Sequence, residues 1–235
     1  VTWAVAIVIP ARDEEHTIGA CIRSVVRDAG ASGHPFDITV VADGCSDATA
    51  EIAARSLGRH GRVLEVDHGN VGAGRRDGTR RALRALAPVQ APERTWILST
   101  DADSVVPAGW IRSHLRLADA GAHGVAGLVS VDSFAAHPPS VEAAFRRRYE
   151  TGPGGRHAHV HGTNLGVRAD AYRAAGGWRD RATGEDHDLW GRLRATSAVL
   201  VSTIEAPVST SGRSHGRAPD GFAALLRSLA VEAAP

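Results

Sequence analysis

The chain has 235 residues, of which 43% are hydrophobic and 23% charged, and its formal net charge is +1. That length suits one α/β domain with a sizeable core, and the near-neutral balance gives no electrostatic case for a nucleic-acid partner. Two cysteines, Cys21 and Cys45, are too few for a disulfide framework or a zinc cluster, and no apolar run nears the roughly 18 residues of a spanning helix, so a cytoplasmic protein without a transmembrane segment is expected.

The first half alternates short apolar runs with helical patterns. Residues 5–9 form a β-branched run that ends at Pro10 and read as a buried strand. Ile18, Cys21, Ile22, Val25 and Val26 then recur at helical spacing behind the acids Asp13, Glu14 and Glu15, which favour a helix start. Residues 38–41 read as a second strand, with Ser46 or Asp47 capping a helix that carries Ile52, Ala53 and Leu57. Residues 63–66 give a third strand. A glycine-rich turn over 69–74 leads to an Arg-rich helix ending near Leu86, and residues 96–98 give a fourth strand. The second half is less regular. Residues 124–131 read as a strand, Pro138-Pro139 as a break, 141–149 as a helix and 152–155 as a flexible connection. Residues 209–220 read as a polar loop before a short amphipathic helix bearing Phe222, Leu225, Leu226 and Leu229.

This alternation implies a Rossmann-like, mostly parallel central sheet with helices on both faces. Ligands of such a sheet bind beyond the carboxyl ends of the strands. Four segments follow apolar runs there: Pro10-Ala11-Arg12, Asp43, residues 72–76 and Asp101-Ala102-Asp103. Two aspartates two apart at a strand end suit a hard divalent cation, Mn2+ or Mg2+, that also holds a diphosphate. Gly72, Arg75 and Arg76 combine close backbone approach with charge that matches a diphosphate; a solvated basic helix face is the alternative.

Together these segments resemble family 2 glycosyltransferases of the glycosyltransferase-A fold. Residues 7–15 resemble the family's first strand and nucleotide-binding turn, and residues 40–47 its second-strand motif. Asp101-Ala102-Asp103 matches its D-x-D, His161-Gly162-Thr163-Asn164 resembles its acceptor-side glycine loop, and Gly184-Glu185-Asp186 matches the E-D that opens the catalytic helix. The order and spacing agree over about residues 4–195. Ala42 stands where the family often has a first Asp, and the Q-x-x-R-W motif of processive members is absent.

The resemblance implies one glycosyltransferase-A domain over 1–235, with a nucleotide-sugar half at 1–103 and an acceptor half at 104–235 that includes a C-terminal loop and helix. It implies a soluble, metal-dependent, inverting enzyme that moves one sugar from a nucleoside-diphosphate sugar to an unidentified acceptor hydroxyl. Asp43 would accept the imide N–H of uracil, thymine or guanine, with UDP favoured; alternatively it shapes the turn with Gly44. Glu14 would line the same pocket or serve the helix start. Asp101 would meet the ribose and the metal, Asp103 would ligate the metal, and His215 is a further candidate ligand. Arg213 or Arg217 could close over the diphosphate. Asp186 would be the general base, with Glu185 beside it. Trp178 would stack on an acceptor sugar or lie in the core. His157, His159 and His161 would share one face if their segment were a strand. A retaining transferase, a nucleotidyltransferase and a catalytically silent sugar-nucleotide binder are the alternative functions. The slot after the first strand lacks the glycine-rich loop usual in nucleotidyltransferases.

Overall fold

The computed structural model describes residues 2–218 and 221–232. Its first half runs β1 (Ala4–Ala11), α1 (Ile18–Ser32), β2 (Phe36–Asp43), α2 (Thr49–Leu57), β3 (Gly61–Val66), α3 (Val71–Leu86) and β4 (Thr95–Ser99). Its second half runs β5 (Ser104–Val105), α4 (Trp110–Asp119), β6 (Gly124–Val131), α5 (Pro139–Arg148), β7 (Leu165–Arg168), α6 (Ala169–Ala174), α7 (Glu185–Arg194), β8 (Leu200–Thr210) and α8 (Phe222–Glu232).

All eight strands join one sheet in the order β3-β2-β1-β4-β7-β6-β8-β5. β3, β2, β1 and β4 are mutually parallel, as the alternation requires, while β7 runs antiparallel to both β4 and β6. β6 and β8 are parallel to each other. Side chains alternate across β1. Val5, Ile7 and Ile9 pack with Ile18, Ile22, Trp110 and Ile111 of α1 and α4. Ala4 and Ala6 face Ala82, Leu83 and Leu86 of α3 together with Tyr172, Trp178 and Leu189. The small residues on that face let α3 lie close: a Cβ on its Gly78 would come within 2.6 Å of Val8 and 2.7 Å of Val41.

Several expectations change. The helix α3 starts at Val71, so Gly72 and Gly74 lie in its first turn rather than in a loop, and the Asn70 side chain caps it by accepting the Ala73 N–H at 3.0 Å. Asp47 serves α2 by accepting the Thr49 N–H at 2.9 Å. The strand β8 takes Ser209 and Thr210 from the expected polar loop; Pro219 and Asp220, at that loop's end, lie outside the described residues. The segment bearing His157, His159 and His161 forms no strand, yet the three rings still stack in sequence. The amphipathic C-terminal helix α8 buries Leu226 and Leu229 against Val141 and Phe145 of α5. No helix among the described residues is long and apolar enough to cross a membrane.

Candidate active site

The carboxyl ends of β1, β2 and β4 open into a cleft of about 640 Å3. Pro10, Ala11, Arg12 and Glu14 enter it after β1, Asp43 at the end of β2, and Asp101, Ala102 and Asp103 after β4. Gly162 and Thr163, before β7, and Glu185 and Asp186, opening α7, line the same cleft. Segments far apart in sequence therefore meet at one sheet edge.

The carboxylates are densely packed. Asp103 lies 3.0 Å from Arg213 Nη2 and is within 3.4 Å of the Thr210 hydroxyl. Burial, followed by the charge of Asp101, pushes the Asp103 carboxyl up to about 6, and Arg213 opposes the shift. Glu14 is buried and accepts two hydrogen bonds from Arg213, at 2.6 and 2.8 Å. Arg213 is thus the counter-charge shared by Glu14 and Asp103. Arg217 donates to the Arg12 carbonyl at 3.2 Å and to the Asp13 carbonyl, which fastens the same loop over the β1 turn.

Arg75 is used differently from the expectation. Its side chain is only 3% exposed. Nε donates to the Ser99 hydroxyl at 3.0 Å, Nη2 to Asp101 at 2.5 Å and Nη1 to Glu185. Those donors are committed within the protein, so Arg75 braces the cleft wall rather than offering a free fork to a diphosphate. The Thr163 hydroxyl takes the other Asp101 oxygen. Gly162 is needed there because a Cβ would overlap the Arg75 guanidinium.

Asp43 is also committed. Oδ1 accepts the N–H groups of His68 and Gly69 at 2.6 and 2.9 Å, and Oδ2 that of Asn70 at 2.9 Å. It organises the 68–70 loop at the cleft edge, rather than the turn with Gly44.

Gly184, at φ 68°, precedes α7, a left-handed conformation that glycine adopts without strain. Asp186 Oδ2 then accepts the Gly162 N–H at 2.8 Å, and Oδ1 accepts the His187 N–H at 2.7 Å and faces His187 Nδ1 at 3.0 Å. Burial disfavours its charge. The His187 hydrogen bond, the Arg75 charge and the Gly162 N–H outweigh that penalty and hold the carboxyl down to about 2. Beside it, Tyr149 donates to or accepts from His161 Nε2 at 2.7 Å and stacks on His159 at 4.1 Å. Burial, above all, pushes His161 down to about 4.

Five expected site residues lie elsewhere. Gly72 donates its N–H to the Arg181 carbonyl at 3.0 Å, and a Cβ there would overlap the Arg179 carbonyl, so it docks the 179–181 loop instead of a phosphate. Arg76 pairs with Asp180 at the surface. Asn164 is fully buried: Oδ1 accepts from Trp110 Nε1 at 2.8 Å and meets His114 Nε2 at 3.0 Å, while Nδ2 donates to the Leu128 carbonyl. Trp178 is 3% exposed and packs in the core with Tyr172, which leaves no ring face for a sugar. His215 is exposed and bonds its neighbour Ser214, whereas Arg213 takes the place beside Asp103. Sequence reasoning missed His187, Tyr149 and Thr210 as cleft residues, while it had singled out His159 only as a neighbour of His161. Only His187 had a signal, its position directly after the E-D pair.

A sequence model described as glycosyltransferase-like family 2 matches residues 3–226. The chain belongs to this glycosyltransferase family. No curated protein matches the sequence. Among solved structures, S. aureus TarS (residues 1–349, in complex with UDP-GlcNAc) has a TM-score of 0.65 at 14% identity, covering 99% of this chain and 66% of that one. The mannosyltransferase PcManGT from Pyrobaculum calidifontis, in complex with GDP-Man and Mn2+, has a TM-score of 0.58 at 15% identity, covering 92% and 59%. This family member therefore shares their fold and spans at most about two thirds of either neighbour's length.

The family member's cleft has the donor chemistry for a divalent cation. Asp101 and Asp103 supply hard carboxylate oxygens, and Asp103 is pushed up first by burial and then by the charge of Asp101, with Arg213 opposing. A separate group, Asp13, Cys45 and Asp47, brings three ligand-type atoms within 4.8 Å of one another. Its carboxylates already accept from Ser46, Glu15 and Thr49, so it reads as loop structure.

Proposed function

We propose that this family member is an inverting glycosyltransferase that moves a sugar from a nucleoside-diphosphate sugar, UDP first, to an acceptor hydroxyl. One observation carries the reading: the Asp101/Asp103 pair after β4 and Asp186 at the start of α7 line the same cleft. The first pair suits a diphosphate with its cation, and Asp186 suits the proton-accepting side. Asp101 and Asp103 would hold Mn2+ or Mg2+, which when bound neutralises charge on the departing diphosphate. Arg12, Arg213 and Arg217 are the cations of the donor side. UDP comes first because TarS is solved with UDP-GlcNAc at the higher TM-score, and GDP follows from the mannosyltransferase. The acceptor enters between the Tyr149–His159–His161 stack and α7, and its hydroxyl attacks opposite the diphosphate. That geometry inverts the anomeric carbon.

A thermal-shift panel of UDP, GDP, dTDP, CDP and ADP, each with and without Mn2+, tests the donor reading. A ligand that binds only the folded state raises the melting temperature by mass action. A Mn2+-dependent rise with UDP or GDP is expected. No rise with any nucleotide, for a folded protein, would defeat the proposal. The anomeric configuration of the product, read by NMR, tests inversion separately.

A further inference from the structure

A second cavity, of about 420 Å3, adjoins the donor cleft and shares Ala158, His159, Val160 and His187 with it. One stripe of α7 lines it: His187, Trp190, Gly191 and Arg194 stand at i, i+3, i+4 and i+7. The stripe begins beside Asp186, and Trp190 lies one turn further along the helix, about 5.4 Å away along its axis. His157 and Ser202, the latter on β8, line the same space.

The chemistry of this lining is unlike that of the donor cleft. Of the five tryptophans, Trp3, Trp96, Trp110 and Trp178 are buried and only Trp190 is not. Gly191 keeps the space beside that ring clear, since a Cβ there would meet nothing within 4 Å. Arg194 is exposed and makes no ion pair or hydrogen bond among the described residues. His157 Nε2 donates to the Thr203 carbonyl at 3.1 Å, so Nδ1, buried and without a partner, is left as an acceptor. Ser202 Oγ accepts the His157 N–H at 3.1 Å and keeps its own proton to donate. The donor cleft is rich in carboxylates, whereas no Asp or Glu lines the second cavity. A flat aromatic ring, a donor and an acceptor suited to hydroxyls, and an unpaired guanidinium together match a sugar that carries negative charge.

We propose that this cavity is the acceptor subsite and that the acceptor is an anionic saccharide, a sugar ring bearing a carboxylate or a phosphate. The inference rests on the transferase reading and names its acceptor class. The ring stacks on Trp190, Arg194 takes the anionic group, and His157 and Ser202 take hydroxyls. Another hydroxyl then reaches Asp186, one turn back along α7. Arg194 lies eight residues beyond Asp186, about 12 Å along the helix axis. The acceptor's charge is thereby held away from the carboxylates of the donor cleft and from the departing diphosphate.

Because the other four tryptophans are buried, a change in intrinsic fluorescence on adding a sugar reports on Trp190. The test is titration with glucuronate, glucose 6-phosphate and glucose, with and without UDP and Mn2+. A saturable change with glucuronate or glucose 6-phosphate and none with glucose is expected, and the tighter of the two identifies the anionic group. Gly191→Leu, which fills the cavity, should abolish the change. Arg194→Gln should weaken binding about tenfold, the weight of one charge-assisted hydrogen bond. Both variants should keep the wild-type melting temperature, because a side chain at 191 enters open space and Arg194 is exposed. Trp190→Phe should remove the signal. No saturable change with either charged sugar, an equal response to glucose, or affinity unmoved by both Gly191→Leu and Arg194→Gln would overturn the subsite. A protein that binds UDP with Mn2+ but no charged sugar would overturn the subsite alone. One that binds the charged sugars but no nucleotide would overturn the transferase reading, and with it the cavity's role as an acceptor subsite.

Discussion

Arg75 and Glu185, 110 residues apart, form an ion pair inside the molecule, and it ties the first turns of α3 and α7 together. The same guanidinium holds Asp101 at 2.5 Å. One buried cation therefore sets the spacing between Asp101 and the turn that carries Asp186. Removing one member of a buried, hydrogen-bonded pair leaves the others uncompensated, which costs about 3–5 kcal/mol. Arg75→Met should lower unfolding stability by that order in urea and weaken nucleotide binding as the cleft wall shifts. Unchanged stability would mean that the pair is balanced by groups other than Arg75.

Asp43 organises the loop before α3 through three backbone N–H groups. Asp43→Ala would remove the acceptor of three partly exposed N–H groups, at about 0.5–1.5 kcal/mol each, while Asp43→Asn keeps one acceptor oxygen. The expected order of stability is wild type, Asn, then Ala, measured by urea unfolding. Nucleotide affinity should fall in the same order if loop order is what Asp43 supplies. An Asn variant with full stability but no nucleotide binding would instead favour direct base recognition.

The parallel half of the fold was legible because β1, β2 and β4 are buried on both faces and so read as apolar runs. β7 has only four residues. β8 was hidden because it is half exposed, shifts register at Gly127/Val129 and carries Ala206 at φ 51°, beside Pro207. α4 was missed because its buried face includes Ser113 and His114, which interrupt the apolar stripe. Within the site, the motifs located the cleft but not the partners of each side chain. Arg75, Asp43 and Asn164 carry ligand-binding chemistry in sequence, yet their hydrogen bonds are taken up by residues far along the chain. Spacing alone does not show where a donor or acceptor is already spent.

His114 and His161 are both buried and both held down to about 4, first by burial. A histidine lowered in the fold contributes stability that is complete above its unfolded value of 6.5 and is lost as pH falls toward 4. The loss is about 1.4 kcal/mol per pH unit for each group. Asp103, raised to about 6, works in the opposite direction over part of that window and offsets one of the two. Urea midpoints should therefore fall between pH 6.5 and 4.5, and His161→Gln should flatten the decline. A wild-type midpoint constant over that range would contradict a neutral, buried pair.

Asp186→Asn keeps the side-chain shape and an oxygen that can accept the Gly162 N–H but loses the carboxylate charge. Turnover should fall by about 10²–10⁴-fold, the usual weight of acid–base catalysis, while the nucleotide thermal shift stays within error. Retained turnover with unchanged product stereochemistry would remove this turn of α7 from the chemistry.

Arg213 supplies positive charge where a divalent cation would compete for the same oxygens, 3.0 Å from Asp103 and 2.6 Å from Glu14. Arg213→Gln leaves both carboxylates without their counter-charge. Two effects should follow in opposite directions. Mn2+ should bind roughly tenfold more tightly, equivalent to about 1.4 kcal/mol, because it no longer displaces a guanidinium. UDP without metal should bind more weakly, because the cation of the donor side is gone. Mn2+ titrations followed by thermal shift, with and without UDP, separate the two. Asp103→Asn is the control and should abolish the Mn2+ response in either background. If Arg213→Gln loses the Mn2+ response as well, Arg213 holds Glu14 and Asp103 in place for the cation instead of competing with it.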